Sequence, residues 1–98
     1  MLKRRKISGS NTVKVSFILP ADDPRLPASV LGDFNEWDPG SDPMIRRSNE
    51  TFSAVVPLVA GATYRFRYRS ADGTWFNDEA ADGFEPNLHG STDCLVEL

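Results

Sequence analysis

Two tryptophans stand where a folded chain gains little from placing them. Trp37 lies in the turn-rich stretch Asn35-Glu36-Trp37-Asp38-Pro39, between two carboxylates, and Trp75 directly follows Asp72-Gly73-Thr74. An indole is costly to expose, so an exposed one usually has a partner. A pyranose ring is one chemical match. Its C–H face accepts an indole, and its rim of hydroxyls suits polar neighbours. The same two residues could instead fill a core, and residue type and position alone do not separate these readings.

Other candidate chemistry is thinner. Asp33, Glu36 and Asp38 could serve acid–base work on a glycosidic bond, but that needs two carboxyls at a set separation across a cleft. Three carboxylates in one turn are better read as turn-formers and solvated charge. Asp78, Glu79, Asp82 and Glu85 could attract calcium, yet their spacing is not that of an EF-hand loop. His89 is the one histidine and makes no metal site by itself, and no Ser–His or Cys–His pair is recognisable. No cofactor is expected. Arg65, Arg67 and Arg69 interleave with Tyr64, Phe66 and Tyr68. A sheet that stacks RNA bases exposes its aromatics, whereas here the aromatics fall opposite the arginines.

Composition narrows the field further. The chain has 98 residues, 11 basic and 14 acidic, for a formal net charge of −3, which argues against a general nucleic-acid binder. The one cysteine, Cys94, excludes an intramolecular disulfide framework. No apolar run approaches the roughly 20 residues of a membrane helix. Ile7-Ser8-Gly9-Ser10-Asn11 stands where a signal peptide would have its apolar stretch, so the expectation is a soluble, cytoplasmic protein without membrane contact. Lys3, Arg4, Arg5 and Lys6 make the start basic, and residues 1–11 read as a flexible, solvated arm ahead of a single domain over 12–98.

The elements that must position these residues read as strands between turns. Thr12 to Leu19 alternates, with Val13, Val15, Phe17 and Leu19 on one face. Ala28 to Phe34 is a short strand interrupted by Gly32. Met44 to Arg46 fits a short edge strand. Thr51 to Leu58 alternates again, with Pro57 marking an edge near its end. Ala62 to Arg69 places Tyr64, Phe66 and Tyr68 on one face and the arginines on the other. Asp72-Gly73 signals a hairpin turn into Thr74-Trp75-Phe76. Asp78 to Gly90 reads as a long loop, with at most one helical turn over 78–82. Cys94 to Leu98 closes the chain as a strand. Some seven short strands in this length predict an all-β, immunoglobulin-like β-sandwich. Its expected core is Val13, Val15, Phe17, Val30, Phe34, Phe52, Val56, Tyr64, Phe66, Tyr68 and Val96.

Three short motifs add to this. Gly32-Asp33-Phe34-Asn35-Glu36-Trp37 resembles the G-x-F-N-x-W signature of family-48 carbohydrate-binding modules. Gly61-x-x-Tyr64-Arg65-Phe66 and Asp72-Gly73-Thr74-Trp75 are similar to the family's G-x-x-Y-x-F and D-G-x-W, and Pro86-Asn87-Leu88-His89-Gly90 to its closing P-N-x-x-G. They run in the family's order from about Val13 to Leu98. The family includes the N-terminal domains of isoamylase and glycogen-branching enzymes and the glycogen-binding domain of the AMP-activated protein kinase β subunit.

The resemblance implies an early-set immunoglobulin-like sandwich that binds an α-1,4-glucan such as glycogen or a maltooligosaccharide. By the match, Trp37 and Trp75 form the platform and Arg65 contacts sugar. Asp93 stands where the kinase domain has a hydroxyl-bonding asparagine; an ionised Asp accepts hydrogen bonds but cannot donate them. His89 stands where that domain has an apolar contact. The implied module is non-catalytic, since the enzymes of the family carry a separate barrel of roughly 250 residues, and a glucan-metabolising enzyme is its expected protein partner. The rival is a protein-interaction domain that kept the fold and lost sugar binding, because sandwiches host many functions.

Overall fold

Alternation in the sequence becomes alternation of burial. The computed structural model describes residues 1–98. Its nine strands are β1 (Leu2–Lys6), β2 (Thr12–Pro20), β3 (Ala28–Gly32), β4 (Ile45–Arg46), β5 (Thr51–Val59), β6 (Thr63–Ser70), β7 (Trp75–Phe76), β8 (Gly83–Pro86) and β9 (Thr92–Glu97). A 3₁₀ turn, Asp33–Asn35, follows β3. One sheet has the order β1-β2-β5-β4 and the other β3-β6-β9-β8, with β7 also paired to β6. The pairs within both sheets are antiparallel. No helix is long and apolar enough to cross a membrane. This is the expected immunoglobulin-like β-sandwich.

The inward faces form the core. Val13, Val15, Phe17 and Leu19 of β2 meet Phe66 and Tyr68 of β6 and Cys94 and Val96 of β9 in one buried cluster. Phe17 is its centre, with its ring 4.9 Å from Phe66, edge-on, and 5.6 Å from Phe34, stacked. Phe34, Phe52 and Tyr64 of the expected core are only partly buried but pack against it. Tyr68 donates its hydroxyl to Asp78 Oδ2 at 2.8 Å, which satisfies a buried polar group on each side. Burial, then the nearby Asp78 carboxylate, pushes the Tyr68 phenol far above its ordinary range. Burial likewise pushes the Cys94 thiol up to about 11, so it stays protonated as a small core residue.

Three expectations need correction. Residues 2–6 are not a solvated arm but strand β1, in register with β2 from Leu2 opposite Phe17 to Lys6 opposite Val13. Four successive charges suit a sheet edge, where residues 3–6 are exposed and charge discourages further pairing. Leu2 packs against the core, and Arg4, on the same face, pairs with Asp82 of the other sheet's border. Residues 78–90 are not all loop, because Gly83–Pro86 pairs with β9 as β8. An edge strand with two wet faces has no apolar period to find: Phe84, Glu85 and Pro86 are exposed. Asp78 to Asp82 forms a hydrogen-bonded turn (Ala81 N–H to Asp78 O, 3.2 Å) and no helix.

Pairing of β1 carries a prediction. Deleting residues 1–6 uncovers the edge of β2 and removes Leu2 from the core. The loss of a partly buried leucine is worth about 1–2 kcal/mol, which lowers Tm by roughly 5–10 °C in a domain of this size. Differential scanning calorimetry of the truncated chain checks it. An unchanged Tm would return the segment to the status of an arm.

Candidate binding site

The outer face of the β6 sheet is built by alternation and one turn. Arg65, Arg67 and Arg69 point outward because Phe66 and Tyr68 point inward. β9 covers β6 as far as Phe66, and β7 then takes over, setting Trp75 directly opposite Arg69. The turn that feeds β7 is the predicted one: Gly73 has φ +89°, and its N–H bonds Ser70 O at 2.9 Å. Trp75 emerges from it 40% exposed while its neighbour Phe76 is buried.

Trp37 reaches the same face from the turn after β3. Asn35 is the hub of that turn. Its Oδ1 accepts Gly32 N–H at 3.0 Å, and its Nδ2 donates to Val30 O at 3.0 Å and to Asp42 Oδ2 at 2.8 Å. Glu36 and Trp37 then both take left-handed backbone, φ +56° and +58°, and Trp37 N–H bonds Gly32 O at 3.1 Å. Such conformations cost about 1–3 kcal/mol each for non-glycine residues and persist where surroundings impose them. Asp33 completes the placement. Its Oδ2 accepts Arg65 N–H at 2.9 Å and its Oδ1 accepts the Trp37 indole N–H at 3.2 Å. Asp33 is thus a positioning residue for Trp37, where the sequence offers only a turn-former.

The two indoles meet with ring centroids 6.4 Å apart and planes inclined at 53°. They form one wall of an open cleft of about 910 Å³, whose other residues include Arg65, Arg67, Asn87, Leu88, His89 and Asp93. Arg65 is fixed across its floor. Nη1 donates to Asp93 Oδ2 and to Pro86 O, both at 3.3 Å, and Nη2 pairs with Glu85. Asn87 organises the facing loop. Its Oδ1 accepts His89 N–H at 2.9 Å and Ser91 N–H at 3.1 Å, and its Nδ2 donates to Asp93 Oδ1 at 3.0 Å.

All five expected site residues line one cleft, but they are not equivalent. Trp37, Arg65 and Trp75 present surface to it. His89 is exposed on the loop. Asp93 corrects its expected role: it is 5% exposed, and each carboxylate oxygen already accepts a hydrogen bond, from Asn87 and from Arg65. It holds those two side chains instead of facing solvent. Leu88, which projects fully exposed beside His89, and Asn87 and Arg67 join the cleft beyond the five expected residues. The motif Pro86-Asn87-Leu88 was the available signal, because an apolar residue in a polar loop is a candidate contact. The other carboxylates disperse: Asp78 to Tyr68, Asp82 to Arg4, Glu85 to Arg65, and Asp38 caps its own turn through Gly40 N–H and Ser41 Oγ. No three His, Cys, Asp or Glu side chains are grouped as a metal site would require.

Comparison with known proteins matches the chain to a family. The family model described as carbohydrate-binding module 48 (isoamylase N-terminal domain) matches residues 27–84, which contain Trp37, Arg65 and Trp75. The chain is 33% identical over 87 residues to the 1,4-alpha-glucan branching enzyme of Synechococcus elongatus, covering 88% of this chain and 11% of that protein. A Synechococcus sp. branching enzyme is 35% identical over 72 residues, 72% of this chain and 9% of its own. One from Xanthomonas campestris is 44% identical over 46 residues, 46% of this chain and 6% of its own. The chain thus spans about a tenth of the length of these relatives. With this family match over more than half of its residues and the β-sandwich fold, the chain belongs to the carbohydrate-binding module 48 family.

Proposed function

We propose that the cleft binds an α-1,4-glucan such as glycogen or a maltooligosaccharide, and that the chain by itself is non-catalytic. The carrying observation is the inclination of the indoles, 53° at 6.4 Å. A flat glucan ribbon would call for coplanar platforms. An α-1,4-linked chain curves, so its successive rings tilt and suit two inclined faces. Arg65, held by Asp93 and Glu85, offers donors to hydroxyls along the floor, and Asn87 sets the loop that presents Leu88 and His89 to the opposite side of the chain. Asp93 acts as a positioning residue. The relatives are branching enzymes of which this chain matches a small part, and an accessory role with a glucan-metabolising enzyme in the cytoplasm fits the cleft.

The expected result is retardation in affinity electrophoresis through glycogen and weak binding of maltoheptaose, with Kd between about 10 μM and 1 mM. Neither should change much with salt, because the ligand is neutral. Incubation with amylose should release no reducing ends beyond a heat-killed control. No retardation at any glycogen concentration would overturn the binding reading, and release of reducing ends would overturn the non-catalytic one.

A further inference from the structure

The arginines of β6 differ in how the fold neutralises them. Arg65 is paired with Asp93 and Glu85. Elsewhere Arg4 and Arg25 also have carboxylate partners, while the surface residues Arg5, Arg46 and Arg47 do not. Arg67 and Arg69 have none. Arg67 donates only from Nε, to Asn77 Oδ1 at 2.7 Å, and the buried Nε of Arg69 has no partner. Both guanidinium groups instead stand over the Trp75 ring, 5.7 and 5.4 Å from its centroid. They rise from alternate residues on one face of a strand, whose Cα atoms lie about 7 Å apart.

Two uncompensated cations exceed what a neutral sugar requires. Cation–π contact with Trp75 offsets part of their repulsion and would be served by one of them. The nearby carboxylates are already engaged with other groups: Asp33 with the Arg65 N–H and the Trp37 indole, Glu85 and Asp93 with the Arg65 guanidinium. The uncompensated positive charge of β6 therefore lies beside Trp75, which suits one compact anion and disfavours a continuous polyanion.

We propose that Arg67 and Arg69 form an anion subsite at the edge of the Trp75 platform, and that it takes a phosphate monoester carried on a glucan chain. This rests on the glucan reading of the cleft. A phosphate monoester brings nearly two charges and three terminal oxygens at neutral pH, enough to engage two guanidinium forks. A ring carboxylate brings one charge and two oxygens and would occupy one fork. A sugar stacked on Trp75 puts its substituents beside the arginines, so the ester is recognised together with the ring that bears it.

The test is calorimetric titration of the 98-residue chain with maltoheptaose and with maltoheptaose bearing a single glucosyl phosphate monoester. The phosphorylated chain is expected to bind about tenfold more tightly at low ionic strength, ~1.4 kcal/mol. That ratio should shrink at high salt while neutral maltoheptaose is unaffected. In the double variant Arg67→Gln/Arg69→Gln the ratio should fall to about one, and Arg67→Lys/Arg69→Lys should retain part of it. The ratio is the readout because weaker support of Trp75 lowers both affinities together. Equal affinities for the wild-type chain, or a ratio that survives the double Gln change, would overturn the subsite. So would inorganic phosphate or glucose 6-phosphate binding as tightly as the phosphorylated chain, which would make it a site for free anions. Binding of the phosphorylated chain without binding of the neutral one would refute the neutral-glucan reading and leave the subsite standing. Binding of neither refutes both.

Discussion

Replacing Trp75 by alanine is expected to weaken glucan binding by several-fold to about a hundredfold and to leave Tm within a few degrees of wild type. The ring is 40% exposed and is held by contacts on the outer face of the sheet, outside the core cluster. Stacking on an aromatic is worth about 1–3 kcal/mol by alanine substitution for a nucleic-acid base, and a sugar face should lose a similar or smaller amount. A core tryptophan would instead cost about 3–5 kcal/mol of stability. Trp37→Ala should lose binding equally but melt somewhat lower. Its indole N–H bonds Asp33, and alanine loses that bond while the left-handed backbone at φ +58° still has to be held. The double variant should fall short of the summed losses, because the two rings neighbour each other. Melting curves and maltoheptaose titrations on the same proteins separate the outcomes. Intact melting with unchanged binding would remove the platform and leave a protein-contact surface as the better reading.

The sandwich was legible because most strands are wet on one face. In β2, β5 and β6 the period of two survives, interrupted by the buried Ser53 of β5, and the apolar residues it selects are buried or packed on the core. β1 and β8 were not legible, for the complementary reason. At a sheet border neither face needs an apolar residue, so Lys3-Arg4-Arg5-Lys6 and Gly83-Phe84-Glu85-Pro86 carry no period. The limit of β3 is another feature the pattern does not mark. The strand stops at Gly32, and Phe34 reaches the core from the 3₁₀ turn instead of from an extended strand. Period-two reading carries the strand through an apolar residue such as Phe34 and does not mark the 3₁₀ turn.

At the site, residue types announced themselves where they were out of place, as the indoles in turns do. Residues whose work is to hold others did not. Asp33 reads as a turn-former, yet it ties the backbone of β6 to the Trp37 ring. Asp93 reads as a hydroxyl acceptor, but it is buried under Arg65 and Asn87. Both roles depend on partners 28 to 32 residues distant for Arg65 and 4 to 6 for Trp37 and Asn87. Local spacing reveals the near partner at best, never the pair.

Gly32→Ala is expected to be the most damaging single methyl group that can be added near the site. Its φ of −168° is extended backbone that any residue adopts, so the cause is space alone. A Cβ there would lie 2.4 Å from the backbone oxygen of Arg65 and 2.6 Å from Cε2 of Phe34. The first is main chain of the neighbouring strand, where Gly32 is in register with Phe66, so relief requires β3 and β6 to part. The second is a ring stacked on Phe17 at 5.6 Å, so relief on that side disturbs the core. Overpacking costs about 1–3 kcal/mol, occasionally more, and two contacts this close place the change at the upper end. Each kcal/mol lowers Tm by about 4–8 °C in a domain of this size, so a fall of roughly 10–25 °C should be seen by calorimetry. Binding should suffer beyond the loss of folded protein. Gly32 O accepts the Trp37 N–H, and its own N–H anchors Asn35, so a displaced Gly32 carries the Trp37 ring away from Trp75. Gly40→Ala is the matched control, with its nearest atom, Asp38 Oδ1, at 3.6 Å. It should melt and bind as wild type. If Gly32→Ala melts like Gly40→Ala, the close approach of β3 to β6 is not what fixes the turn, and the placement of Trp37 must come from Asn35 and Asp33 alone.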